Sequence, residues 1–121
     1  MVVAPAQKMR VISWNLLHGV QIPPVKNQEW QKSLVTAAGV VATNYQPDFI
    51  GLQEVDYLQP RSGGINQTKV IAEKLGLKHW AYLPSLIGTP GERWHKVEDL
   101  EKVLITEKSK QVSKDKSYGI G

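Results

Sequence analysis

The sequence predicts an α/β fold built on a parallel strand–helix–strand unit, and three stretches carry that expectation. Arg10-Val11-Ile12-Ser13-Trp14-Asn15 is an apolar, β-branched run that ends in a side chain with an oxygen to offer. Phe49-Ile50-Gly51-Leu52 is a second short apolar run, of the kind buried on both faces of a sheet, and it gives way abruptly to Gln53-Glu54. Between the two, Trp30, Leu34, Ala38, Val41 and Tyr45 recur at helical spacing and make one apolar face. Such a crossover is right-handed and leaves its strands parallel, so the carboxyl ends carrying Asn15 and Glu54 are expected on one edge of the sheet.

Taken in chain order, residues 1–8 are expected to form a flexible tail, apolar but too short for a signal peptide and without a basic start. The first strand leads into Leu16-Leu17-His18-Gly19 and a loop through Pro23-Pro24. The first helix is expected from about Gln28 to Asn44, with Asn27 capping its start and Glu29 placed to suit the positive end of the helix dipole. Pro47 ends it and biases Gln46 toward extended geometry. After the polar loop Gln59-Pro60-Arg61-Ser62-Gly63-Gly64, a second helix runs from Gln67 to Leu75, with Ile71 and Leu75 facing the core and Gly76 terminating it. His79 to Leu83 alternates as a third strand that Pro84 should stop, and a Gly/Pro loop, Gly88 to Gly91, follows. Val97, Leu100 and Leu104 suggest one face of a short helix supported by a Glu98–Lys102 pair. Lys108, Lys110, Lys114 and Lys116 crowd a segment poor in apolar residues, which reads as a solvated loop, and Ser117 to Gly121 reads as the opening of a further strand.

Composition bounds the function. A chain of 121 residues with 41% hydrophobic and 21% charged residues suffices for one domain with a real core. The absence of cysteine excludes a disulfide framework, a thiolate metal site and cysteine nucleophile chemistry, and it fits a reducing compartment, so a cytoplasmic location is the default expectation. No apolar run approaches the length of a membrane span. A net charge of +4 is compatible with an anionic substrate and common without one.

Ligands bind outside the carboxyl ends of strands in open α/β sheets, so Asn15 and Glu54 would converge where a hard cation is held. Mg²⁺ prefers carboxylate and carbonyl oxygens, keeps several waters and needs only one or two protein carboxylates. The plainer alternative is a glutamate that caps a neighbouring loop and an asparagine that turns the chain. His18 follows the first strand closely and is either a donor to a phosphate oxygen or a loop histidine. Arg61 offers a guanidinium fork for bidentate contact to phosphate, or pairs with Asp56. Trp94, between Arg93 and His95, either stacks on a base or packs in its loop, and the lysine run either follows a nucleic-acid backbone or is simply solvated.

Ser13-Trp14-Asn15, followed one helix later by Gly51-Leu52-Gln53-Glu54-Val55, resembles the first two motifs of the endonuclease/exonuclease/phosphatase (DNase I-like) family, and the similarity runs from about Met9 to Gly121. The stretch Gln59 to Thr68, with Gly88 to Gly91, resembles a bacterial subgroup of that family. The resemblance implies half of a four-layer α/β sandwich and Mg²⁺-dependent, alternatively Mn²⁺-dependent, hydrolysis of a phosphoester. It implies Glu54 as metal ligand and Asn15 as the residue that positions metal and scissile phosphate. The family's other motifs, Gly-Asp-x-Asn and a late Asp-His pair, have no counterpart here: the aspartates are Asp48, Asp56, Asp99 and Asp115, and the histidines His18, His79 and His95 follow none of them. The expectation is that residues 9–121 are the N-terminal portion of a longer enzyme, inactive alone and completed by a missing C-terminal half. A non-catalytic nucleic-acid-binding or interaction protein and a nonfunctional gene fragment are the alternatives.

Overall fold

In the computed structural model, which describes residues 1–121, β1 (Val11–Asn15) and β2 (Phe49–Gln53) pair in parallel, Val11 facing Phe49 and Asn15 facing Gln53. The crossover between them is α1 (Trp30–Tyr45), which buries Leu34 and Ala38. Its ends differ from the sequence expectation. Asn27 adopts a left-handed backbone (φ 59°) and caps nothing, and the N-cap is Glu29, without a side-chain bond. The work at this end is done by Gln28, whose amide donates to the Gly19 carbonyl at 2.7 Å and accepts from the Gln21 amide at 2.9 Å, tying the preceding loop to the helix start. At the other end Gln46 is left-handed (φ 45°, ψ 61°) rather than extended. Both conformations avoid the right-handed region that would clash with the Pro47 ring, and the left-handed one also closes the helix.

β2 does not stop at Gln53. The chain passes through Glu54 into β3 (Val55–Tyr57), a strand that the sequence reading did not separate. The partner along this line is β7 (Ser117–Ile120): Val55, Asp56 and Tyr57 face Gly119, Tyr118 and Ser117, while Leu52 exchanges two backbone hydrogen bonds with Gly121. Gln53 and Glu54 therefore together oppose Ile120, the two-against-one arrangement of a β-bulge. β2 and β3 are one strand with a bend, and Glu54 stands at the bend.

On its other side β7 pairs with β4 (Ala81–Gly88). Pro84 lies inside this strand and does not end it. The ladder shifts register between Pro84 and Leu86, which accommodates a residue that has no N–H to donate. Opposite Pro84 stands Gly119, where a side chain would overlap the Leu83 carbonyl and the Pro84 Cα. β4 continues through the Thr89–Gly91 turn into β5 (Trp94–Lys96), and β6 (Ile105–Thr106) pairs with Ala81 and Tyr82. The five-stranded sheet thus runs β3-β7-β4-β5 with β6 beside β4, and the Leu52–Gly121 bonds stitch it to β1-β2.

α2 (Gln67–Leu75) has the limits that the sequence predicts: the Asn66 side chain accepts from the Lys69 amide at 3.0 Å, and Gly76 takes the left-handed C-cap conformation. α3 (Leu100–Val103) is a single turn, shorter than expected, and Lys102 pairs with Asp99 at 2.9 Å instead of Glu98. Residues 107–116, the lysine-rich segment, form no helix or strand. The core gathers Leu16, Leu34, Leu52, Val55, Ile71 and Ile105 around Tyr57 and Tyr82, whose rings stack with centroids 5.3 Å apart. A stacked aromatic pair contributes about 1 kcal/mol beyond its buried area. No helix is long and apolar enough to cross a membrane.

Candidate functional site

The parallel crossover brings Asn15 and Glu54 together at the carboxyl edge of β1 and β2, where the Asn15 amide donates to Glu54 Oε1 at 2.9 Å. The Asn15 carbonyl oxygen points the other way and accepts the Leu17 amide at 2.9 Å. Asn15 therefore spends both ends of its amide holding the turn and the carboxylate. It orients Glu54 instead of presenting its own oxygen beside it. Glu54 is half-buried, and its Oε2 has no hydrogen-bond partner in the protein. The residue adopts a left-handed backbone (φ 53°), a conformation costing a non-glycine residue about 1 kcal/mol, so the bulge aims this side chain at the expense of backbone comfort.

The turn after β1 is strained in the same way. Leu17 and His18 are both left-handed (φ 46° and 47°). The His18 amide donates to the Glu54 carbonyl at 2.9 Å, so the turn is clamped to the bulge. Burial pushes the His18 imidazole below its ordinary pKa, and the positive charge of Arg61 pushes it further in the same direction. The shift favours the neutral imidazole.

Asp56 and Arg61 settle as a pair. Arg61 donates through Nε to Asp56 Oδ2 at 2.9 Å and through Nη2 to Oδ1 at 2.7 Å. Asp56 is fully buried and also accepts the Ser62 hydroxyl at 2.8 Å. The fork that sequence reasoning offered to a phosphate is thus filled by a carboxylate, leaving Nη1 as the arginine's remaining group. The hydrogen bonds that Arg61 donates to Asp56 raise its pKa, and its guanidinium lies 5.8 Å from the Tyr118 ring centroid. Burial, and next the negative charge of Glu54, raise the Tyr118 phenol above its ordinary value.

The residues that hold this edge in place are ones the sequence reading passed over. Gln67, buried at the start of α2, donates to the His18 carbonyl at 2.8 Å and accepts the Asp56 amide at 2.8 Å. Gln59 is fully buried and donates to the carbonyls of Gly88 (2.6 Å) and Ser117 (3.0 Å) while accepting the Thr89 hydroxyl at 3.0 Å. A glutamine at each side of a Gly-Gly turn was the only available signal, and its meaning depends on which carbonyls the fold brings near.

The remaining sequence candidates lie elsewhere. His79 pairs with Glu107 at 2.8 Å beyond the start of β4. Trp94 and His95 stand on β5, a strand exposed along its whole length, not in a loop. Of the three histidines only His18 is at the Glu54 edge.

A divalent cation fits this edge in a limited way. Three or more His, Cys, Asp or Glu side chains nowhere gather in metal-holding geometry. Glu54 Oε2, aimed by a bulge and flanked by a hydrogen-bonded Oε1, is the one carboxylate oxygen here free to serve, and Mg²⁺ with several retained waters accepts so sparse a protein contribution. No family model matches this chain, and no curated protein and no solved structure matches it either.

Proposed function

We propose that this chain is the metal-anchoring portion of a Mg²⁺-dependent phosphoester hydrolase of the endonuclease/exonuclease/phosphatase type, with its sheets forming one side of a four-layer sandwich. The observation that carries the reading is the Asn15–Glu54 contact at the carboxyl edge of two parallel strands, with Glu54 on a strained bulge. A side chain re-aimed by a bulge with one carboxylate oxygen unspent supports a ligand-bearing role over that of a loop cap, whose oxygens would be taken up by neighbouring N–H groups. When bound, Mg²⁺ or Mn²⁺ would polarise a phosphoryl oxygen. Glu54 would hold the cation through Oε2, Asn15 would fix the Glu54 rotamer, and the Arg61 Nη1 and the His18 imidazole would offer N–H groups to a phosphate. Hydrolysis also needs a base that takes a proton from water. The aspartate-paired histidine expected for that role has no counterpart among these residues, so the chain alone is expected to bind a cation weakly and to turn over no phosphoester.

The test is titration with Mn²⁺, followed by paramagnetic broadening of backbone amide resonances. Broadening centred on Gln53, Glu54 and Leu17, weakened by Asn15→Ala and lost in Glu54→Gln, is the expected outcome. Broadening that survives Glu54→Gln, or centres elsewhere, overturns the reading. A second reading, salt-sensitive binding of nucleic acid without turnover, draws on one observation: Trp94 is 52% exposed, and Arg93, His95 and Lys96 beside it are exposed as well.

A further inference from the structure

A cleft of about 570 Å³ lies between α2 and the lysine-rich segment, with none of Asn15, His18, Glu54 or Arg61 in its walls. Its apolar surface comes from Leu58 just after β3, Leu77 and Trp80 between α2 and β4, and Val112. Every residue that lines it falls between Tyr57 and Val112, so these elements alone give it its form. The outer wall runs from Thr106 to Val112 and is held by side chains instead of a ladder. Glu107 accepts from the His79 ring at 2.8 Å and from the Trp80 amide at 3.2 Å, and the Tyr57 phenol donates to the Ser113 carbonyl at 2.8 Å.

The polar groups in these walls are one-sided. The carboxylates are engaged: both Glu107 oxygens are bonded, and Glu73 lies 3.8 Å from Lys69. Donors remain. Asn66 caps α2 through its carbonyl oxygen, which leaves its Nδ2 hydrogens unused. The Thr106 hydroxyl accepts the Lys108 amide at 3.2 Å and the Ser109 hydroxyl accepts the Thr106 amide at 2.9 Å, so each keeps its own O–H to give. Lys78, exposed in the same wall, enters no ion pair. A site with donors to spare and its carboxylates occupied suits an acceptor-bearing anion and disfavours a cation. The apolar walls suit a hydrophobic body, and the volume is that of a small-molecule site.

We infer that this cleft is a binding site for a small aromatic anion, a flat ring that bears a carboxylate or a comparable acidic group. The ring packs on Trp80 and its apolar neighbours, and the acidic group takes the unspent donors, Lys78 first among them. The lysine-rich segment then has a use beyond solvation, as the outer wall of the site. The inference goes beyond the cation reading and stands without it, since the two places share no residue.

The experiment titrates the full chain with 2-naphthoate and follows the backbone amide resonances. Two comparisons run beside it: 2-naphthylmethanol, the same ring without the charge, and acetate, the charge without the ring. Saturable shifts at Asn66, Ser109 and Val112, with half-saturation at about 1 mM, are expected for 2-naphthoate. Binding should weaken about fivefold in Lys78→Met, and by at least about as much for either comparison molecule. It should be lost in Val112→Glu, a change at an exposed position that sets a carboxylate in the wall. Absence of saturation with 2-naphthoate overturns the inference. So do shifts confined to Ile50 and Leu83, which lie outside this cleft. Equal affinity for 2-naphthylmethanol would reduce the cleft to an unselective apolar patch, and full affinity retained in Val112→Glu would place the ligand elsewhere; either result also overturns it.

Discussion

Glu54 and Asp56 stand two residues apart on the same bent strand, yet the regions around them are built to opposite ends. At the Glu54 edge the backbone is left-handed at three positions, Leu17, His18 and Glu54, and the carboxylate keeps an oxygen free. In the ladder around Asp56 the backbone pairs regularly with Ser117–Gly119, and the carboxylate is fully buried, with a guanidinium and a hydroxyl upon it. The difference separates a side chain held ready from one used up. A buried carboxylate with a bidentate arginine is a structural commitment, whereas strain beside an unspent oxygen is a cost without local return.

That contrast can be broken most forcefully at Asp56. Asp56→Ala leaves the Arg61 guanidinium half-buried without a counter-charge and the Ser62 hydroxyl without its acceptor. A loss of about 3 kcal/mol in urea unfolding is expected, somewhat reduced because Arg61 is partly exposed and can turn to solvent. A loss below about 1 kcal/mol would show that the pair is as dispensable as a surface ion pair.

Glu54 sharpens the comparison in the opposite direction. Glu54→Gly should unfold about 1 kcal/mol later than Glu54→Ala, because only glycine occupies the left-handed region without penalty. Both variants should lose the Mn²⁺ effect equally. Equal stability of the two would mean that the bulge carries no strain.

The smallest effect lies away from both regions, at the His79–Glu107 contact. The hydrogen bond from His79, followed by that from the Trp80 amide, holds the Glu107 carboxylate at about 2, below its ordinary 4.5. A carboxylate depressed in the folded state contributes stability that is fully present above the unfolded pKa and is lost as pH falls through the folded one. Thermal unfolding between pH 5 and about 2 should therefore fall less steeply in Glu107→Gln than in the wild type, and an identical slope would remove the pair from the account.

What was legible in the sequence were features in which local chemistry and tertiary position agree. The Gly76 stop marked the end of α2, and the two apolar runs with their amphipathic crossover marked the parallel pair and its shared edge. The misreadings occur where a long-range partner overrides a local preference. Pro84 reads as a stop, but Gly119 across the ladder leaves room for the irregularity that lets β4 continue. Val55-Asp56-Tyr57 is too short to announce itself as a strand, and becomes one only because Ser117–Gly119 arrives beside it. Arg61 could be matched to either Asp56 or a ligand by type alone, and the decision came from the 3₁₀ turn at Pro60–Ser62 that swings its fork back onto β3.

Gln67 gives the two regions a shared fate. One amide group reaches from the first turn of α2 to the His18 carbonyl on one side and to the Asp56 backbone on the other, and Gly19 has no side chain because the Gln67 amide nitrogen already takes that space. The turn that borders Glu54 is in this way moored to the helix, not just to its own strand. Swinging it outward would sever a tie at both ends, so the edge behaves as a fixed jaw.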